Sequence, residues 1–122
     1  MRKIIFDSSF LIAVVDEPTT WFEDIVDEVG RFQPVLLDCV KQELEKLASG
    51  QGRRSRSARV ALELAAKFSG KSCGGGLVDD EIVSAALTTG ALVATIDDEL
   101  ATSLRGAQRQ VVTLRRGRVH LD

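Results

Sequence analysis

The sequence predicts an α/β fold, a three-layer α/β/α sandwich built on a central, mostly parallel sheet, and three observations predict it. Short apolar, β-leaning runs alternate with segments whose apolar residues recur at helical spacing. Glycines and small polar residues mark the changes from one pattern to the other. No internal repeat, low-complexity tract or linker breaks the alternation, so residues 1–122 read as one domain around one core.

Each element follows from local residues. Lys3-Ile4-Ile5-Phe6 is a short apolar strand, and Asp7-Ser8-Ser9 is suited to cap the helix after it, which puts Asp7 at a strand's carboxyl end. Pro18 can open a helix with Trp21, Phe22, Ile25, Val26 and Val29 on a core-facing side and Gly30 as its stop. Residues 34–37 form a second strand and 39–48 a helix, with Val40, Leu44 and Leu47 inward and Glu43 near the buried edge. The glycine-, serine- and arginine-rich stretch 49–57 reads as an exposed loop before an amphipathic helix over 58–68. After Cys73-Gly74-Gly75-Gly76, a helix begins near Asp79-Asp80 and runs through Ile82, Val83, Ala86 and Leu87 to Gly90. Residues 91–95 form a buried strand, and Asp97-Asp98 caps a short helix ending near Leu104. Residues 110–114 and 119–121 are closing strands around the turn Arg116-Gly117.

Composition removes several classes of protein. With 44% apolar and 28% charged residues, the chain belongs with folded proteins rather than disordered ones. No apolar run nears the roughly 18 residues of a membrane span, and the first residues run straight into a core strand rather than a cleavable leader. Cys39 and Cys73 form neither a dense disulfide framework nor paired CxxC hooks, so reduced thiols in the cytoplasm are the expectation. A net charge of -2 hides segregation: residues 16–28 carry acids and no base, while most arginines fall within 53–59 and 105–118. Such basic groups either attract a polyanion or are simply a solvated face.

The chemistry rests on acids. In open parallel sheets, loops and helix starts converge beyond the carboxyl ends of the strands. Asp7 and Asp97 both follow strands, Asp79 opens the helix leading to the second of these strands, and Glu43 lies on the helix after the strand at 34–37. The four could meet at one edge. Clustered carboxylates repel, so a fold that gathers them recruits a cation or protons. All-oxygen donors without a His/Cys set suit Mg2+ or Mn2+ rather than structural zinc. Taken singly, Asp7, Asp79 and Asp97 could be helix caps and Glu43 a surface residue.

Other chemistries lack their parts. A haloacid-dehalogenase-type phosphatase needs an acid where Ser9 stands, and a phospho-accepting receiver needs an acidic pair at the first strand. Gly70-Lys71-Ser72 resembles the end of a P-loop, but Ala65 replaces its earlier glycine. His120, the sole histidine, stands too near the carboxyl terminus to anchor a catalytic triad.

The motifs in their order resemble the PIN-domain family, in its compact archaeal, ribosome-processing-like and toxin-like branch, over essentially the whole chain. Ile4-Ile5-Phe6-Asp7-Ser8-Ser9-Phe10-Leu11 looks like the family's first strand and acid, and Cys39-Val40-Lys41-Gln42-Glu43-Leu44 like its glutamate helix. The segments 78–87 and 93–100 are similar to its third-acid helix and fourth-acid strand-turn, and the tail 111–121 to its closing hairpin. The resemblance implies Asp7, Glu43, Asp79 and Asp97 as metal ligands, with Ser9 and Thr95 as polar supports and Asp98 as an accessory. It implies a metal-dependent endoribonuclease of single-stranded RNA, acting as a toxin held by an antitoxin or as an RNA-processing enzyme, and commonly a homodimer. The alternative is an inactive PIN-like module that binds RNA or protein. Arg53, Arg54 and Arg56 are candidates for contact with RNA phosphates or an antitoxin's acidic segment, or are simply a solvated loop. With aromatics at 5% and no Tyr, no base-stacking platform is legible.

Overall fold

The computed structural model describes residues 1–17 and 19–122, so the expectation that Pro18 opens a helix lies outside the described residues. The elements are β1 (Arg2–Phe6), α1 (Ser8–Asp16), α2 (Trp21–Val29), β2 (Phe32–Leu37), α3 (Asp38–Ala48), α4 (Arg53–Leu64) and β3 (Ser69–Lys71). They continue with α5 (Val78–Thr89), β4 (Leu92–Ala94), α6 (Asp98–Gly106), β5 (Val111–Arg115) and β6 (Arg118–Leu121). The six strands form one sheet in the order β3-β2-β1-β4-β5-β6, parallel except for the antiparallel pair β5–β6. Helices cover it on both faces: α1, α3 and α4 pack on one another, and α5 packs with α6. The expected three-layer α/β sandwich is the fold.

Burial explains which strands the sequence reveals. Ile4, Ile5 and Phe6 of β1 and all of β4 are essentially inaccessible to solvent, as central parallel strands covered on both faces must be. Phe6 is the pivot of the core, with the rings of Phe10, Trp21 and Phe68 at 5.6, 5.8 and 5.2 Å. Truncating it to Ala removes a large buried ring and costs about 3–5 kcal/mol. Phe22 departs from its expected core position: it is 48% exposed, leaning on Trp21 and Phe32 from the surface.

One strand was not foreseen, and two other expectations need correction. The strand β3, Ser-Gly-Lys, carries no apolar signal because it is a three-residue edge strand paired with β2 alone. The helix α4 begins at Arg53 rather than near residue 58, so the arginines belong to its first turn. Its buried side is made of Ser55, Ser57, Ala58 and Ala61; the two serines read as loop, but all four are small and let α4 lie close against α3. Cys39 and Cys73 are joined in a disulfide rather than standing as separate thiols, their Cα atoms 6.1 Å apart. Adjacent parallel strands β2 and β3 end side by side, which brings the residues just beyond them together.

Candidate active-site cleft

The chain turns in opposite directions across the sheet on leaving β1: toward β2 and β3 first, then back to β4 and β5. The crevice at this switch, beyond the carboxyl ends of β1 and β4, is where open α/β sheets bind ligands. A cleft of about 1200 Å³ lies there, and its walls include Asp7, Glu43, Asp79 and Asp97. All four sequence-derived acids therefore face one space. Ser9 lines it too, Thr95 lies buried beneath it, and Asp98 is exposed and does not line it.

Asp7 is the most constrained of the four. Its N–H continues the β1–β4 ladder by donating to the Ala94 carbonyl at 2.9 Å, and its side chain is only 5% exposed. It does not cap α1. Instead its Oδ2 accepts from the Ser9 hydroxyl at 2.6 Å and from the Thr95 hydroxyl at 2.8 Å. Those hydroxyls accept in turn from the Ile96 and Asp97 N–H groups at 3.1 and 3.0 Å. One buried network thus ties the acid after β1 to the turn after β4.

The other acids are held by different means. The Ser8 hydroxyl donates to Glu43 Oε1 at 2.5 Å, joining the first turn of α1 to the middle of α3. Sequence reasoning treated Ser8 only as part of a helix start, because nothing local shows that α3 crosses there. Asp97 combines two roles: its Oδ1 caps α6 by accepting from the Glu99 and Leu100 N–H groups at 2.9 and 3.1 Å, while the residue also lines the cleft. Asp79, in the first turn of α5, has no hydrogen-bonding partner among the described residues. Its pKa is raised above the ordinary value, first by desolvation in the cleft and then by the charges of Asp7, Asp97, Glu43 and Asp80. Three of those four charges come from other elements, which places Asp79 within electrostatic reach of the other acids of the cleft.

The donors are carboxylate oxygens with hydroxyl support and no imidazole or thiolate, a set that suits a hard divalent cation. Among the described residues, however, no three His, Cys, Asp or Glu side chains stand in a geometry that would hold one ion. The acids share a cleft without converging on a single point.

Other residues in the cleft were missed or only partly foreseen. Lys46, Arg54 and Arg116 line it, whereas Arg53 and Arg56 do not. Asp16 stands on its rim, hydrogen-bonded by the Ser57 hydroxyl of α4. The apolar surface between comes from residues such as Ile12, Ala13, Leu47 and Leu114.

Comparison with known proteins agrees with this architecture. A solved structure of the PIN domain endonuclease Utp24 superposes with a TM-score of 0.81 at 26% identity, covering 98% of this chain and 90% of that one. A domain of a functionally unknown protein from Methanocaldococcus jannaschii shares the fold at 15% identity and a TM-score of 0.63, covering 100% and 97% of the two chains. A Pyrobaculum aerophilum protein does so at 16% and 0.55, covering 83% and 78%. No curated protein matches the chain significantly. The sequence model described as "PIN like domain" matches residues 4–118, and the chain belongs to that PIN-like family.

Proposed function

We propose that the chain, as one domain over residues 1–122, is a metal-dependent endoribonuclease that hydrolyses phosphodiester bonds of single-stranded RNA in this cleft. The observation that carries the reading is that Asp7, Glu43, Asp79 and Asp97, from four elements, line one cleft; beside it, desolvation and then the charges of Asp7, Asp97 and Glu43 raise the pKa of Asp79. Membership of the PIN-like family and likeness to a protein named as an endonuclease support phosphodiester chemistry.

In this reading Asp7, Glu43, Asp79 and Asp97 hold Mg2+ or Mn2+. A bound divalent ion supplies a lowered pKa for water and neutralises charge building on the phosphoryl oxygens. The chain's own part is to orient and to repel. Ser9 and Thr95 hold Asp7 in one rotamer, Ser8 holds one oxygen of Glu43 and leaves the other free, and the α6 backbone fixes Asp97. Asp98, at the start of α6, is an accessory at most. Lys46, Arg54 and Arg116 supply positive charge beside the acids.

The second reading is a PIN-like module that binds RNA or protein without cutting. Among the described residues the four acids line the cleft without forming a three-acid group around one point, an arrangement that such a module would also show. Cleavage of a labelled single-stranded RNA with Mn2+, Mg2+ or chelator separates the two, comparing the wild type with Asp7→Asn and Asp97→Asn. The nuclease reading expects metal-dependent cutting lost in both variants. Equal residual cutting in all three proteins would mean contamination and would favour the binding module.

Family resemblance alone supports a cytoplasmic toxin restrained by an antitoxin, or an RNA-processing enzyme, working as a homodimer. Light scattering of the purified chain tests the dimer, and a monomeric mass would remove it. Growth arrest on expression, lost in Asp7→Asn, would favour the toxin role; unaffected growth would favour processing. No helix among the described residues is long and apolar enough to cross a membrane.

A further inference from the structure

The carboxylate cleft has three cations in its walls, and one of them occupies a position that the fold does not explain. Lys46 on α3 and Arg54 on α4 belong to the helices that follow β2. Arg116 lies at the tip of the β5–β6 hairpin, on the other side of β1 and β4 in the sheet. Its neighbours in sequence are engaged within the fold: Arg115 pairs with Asp122, and Arg118 with Asp24 at 3.0 Å. Arg116 makes no ion pair or hydrogen bond among the described residues.

Its backbone makes the choice of residue stranger still. Arg115 and Arg118 are paired across the hairpin, leaving Arg116-Gly117 as a two-residue loop with φ of +53° and +76°. Positive φ at both central residues is the geometry that favours Asn-Gly or Asp-Gly, and an arginine there is conformationally disfavoured. Turn chemistry therefore does not explain Arg116, and neither does any internal partner. Unfavourable backbone conformations persist at ligand-contacting positions, where the side chain's task offsets the strain.

We propose that Arg116 is a substrate-binding residue that, with Lys46 and Arg54 on the opposite side, holds the phosphates of a single-stranded RNA across the carboxylates. This rests on the reading of the cleft as an RNA site. The partly exposed side chains of Ala13, Leu47 and Leu114 line the same cleft and give it apolar surface beside the cations.

The test is fluorescence anisotropy of labelled oligouridine in chelator, so that nothing is cut, over a series of salt concentrations. The proteins are the wild type, Arg116→Asn and Arg115→Gln. Asn suits the left-handed turn, so Arg116→Asn keeps or raises the melting temperature. It should weaken binding about three- to tenfold and flatten the log–log salt slope by about 0.7, the release expected for one phosphate contact on a single strand. Arg115→Gln, which removes the same charge outside the cleft, should stay near wild type. Equal losses in the two variants, or an unchanged slope in Arg116→Asn, overturn the proposal. So does a wild type that binds an acidic peptide but not oligouridine. Binding without metal-dependent cutting sinks the nuclease reading alone, and the Arg116 comparison still decides this one.

Discussion

Asp7 and Asp79 face the same cleft, and the fold treats them in opposite ways. At the β1–β4 end, Asp7 is buried and receives two hydroxyl hydrogen bonds from a network that spans both strand ends. At the start of α5, the Asp79 side chain is exposed, has no hydrogen-bonding partner among the described residues, and its pKa is raised by desolvation and by the charges of its neighbours. In the proposed function the difference separates two jobs. One acid is oriented in advance by the core of the sheet, while the other carries the repulsion that a divalent cation would relieve. The rest of the site falls between: Glu43 is held by one serine, and Asp97 by the backbone of the helix it caps.

The largest effect should come from the oriented end. Asp7→Asn keeps the shape but removes charge, and we expect cleavage to fall on the order of a hundredfold or more, since metal stabilisation of a phosphoryl transition state is worth several kcal/mol. Single-turnover rates at saturating Mn2+ read this, and a loss below threefold would break the comparison. Next is Thr95→Val, which deletes a fully buried hydroxyl serving both Asp7 and the Asp97 N–H. Mn2+ affinity should drop about 10- to 100-fold, as for other groups that orient ligands. Stability should fall by about 1–3 kcal/mol because the Asp97 N–H loses its acceptor; urea denaturation measures it.

Asp79→Asn should act in the other direction. A carboxyl whose folded pKa is raised makes the metal-free protein less stable once it ionises, and the penalty fades as pH falls through the folded value toward the unfolded one. In chelator at neutral pH, Asp79→Asn should therefore melt higher than wild type, with the gap closing on acidification. An equal or lower melting temperature at neutral pH would contradict the repulsion. The smallest effect supplies the contrasting sign. Burial pushes the Asp24 carboxyl upward, but hydrogen bonds from the Val119 N–H, Arg118 and Thr20 outweigh it and hold it below the ordinary value. Its contribution to tying α2 to β6 should be complete above an unfolded pKa of about 3.9 and lost as pH falls through the lower folded value. Asp24→Asn should lower the melting temperature at neutral pH and lose that deficit in strong acid.

How much of this could be read from the chain depends on whether a feature is local. Asp7 and Asp97 were legible because a buried parallel strand announces itself as an apolar run, and the residue after it must lie at the sheet's edge. Glu43 and Asp79 followed from the helices between those strands. Strand β3 was not legible, since an edge strand of Ser-Gly-Lys has no pattern. Neither was the start of α4, where Ser55, Ser57 and Ala58 are buried because they are small rather than apolar. The Ser8–Glu43 bond, the Cys39–Cys73 disulfide and the place of Arg116 in the cleft all join residues remote in sequence. Only the strand order brings them together. The arginine run 53–59 was noticed as a group, but helical geometry divides it and leaves Arg54 alone on the cleft.

The central claim of the proposed function is that the carboxylates lining this cleft bind divalent metal. Titration of the purified protein with Mn2+, followed by the loss of the free-ion electron paramagnetic resonance signal, tests it without requiring the right RNA. Binding should saturate in the wild type and weaken at least tenfold in each of Asp7→Asn and Asp79→Asn, as for lost ligands. Binding of equal strength in all three proteins, or none in the wild type, would contradict it.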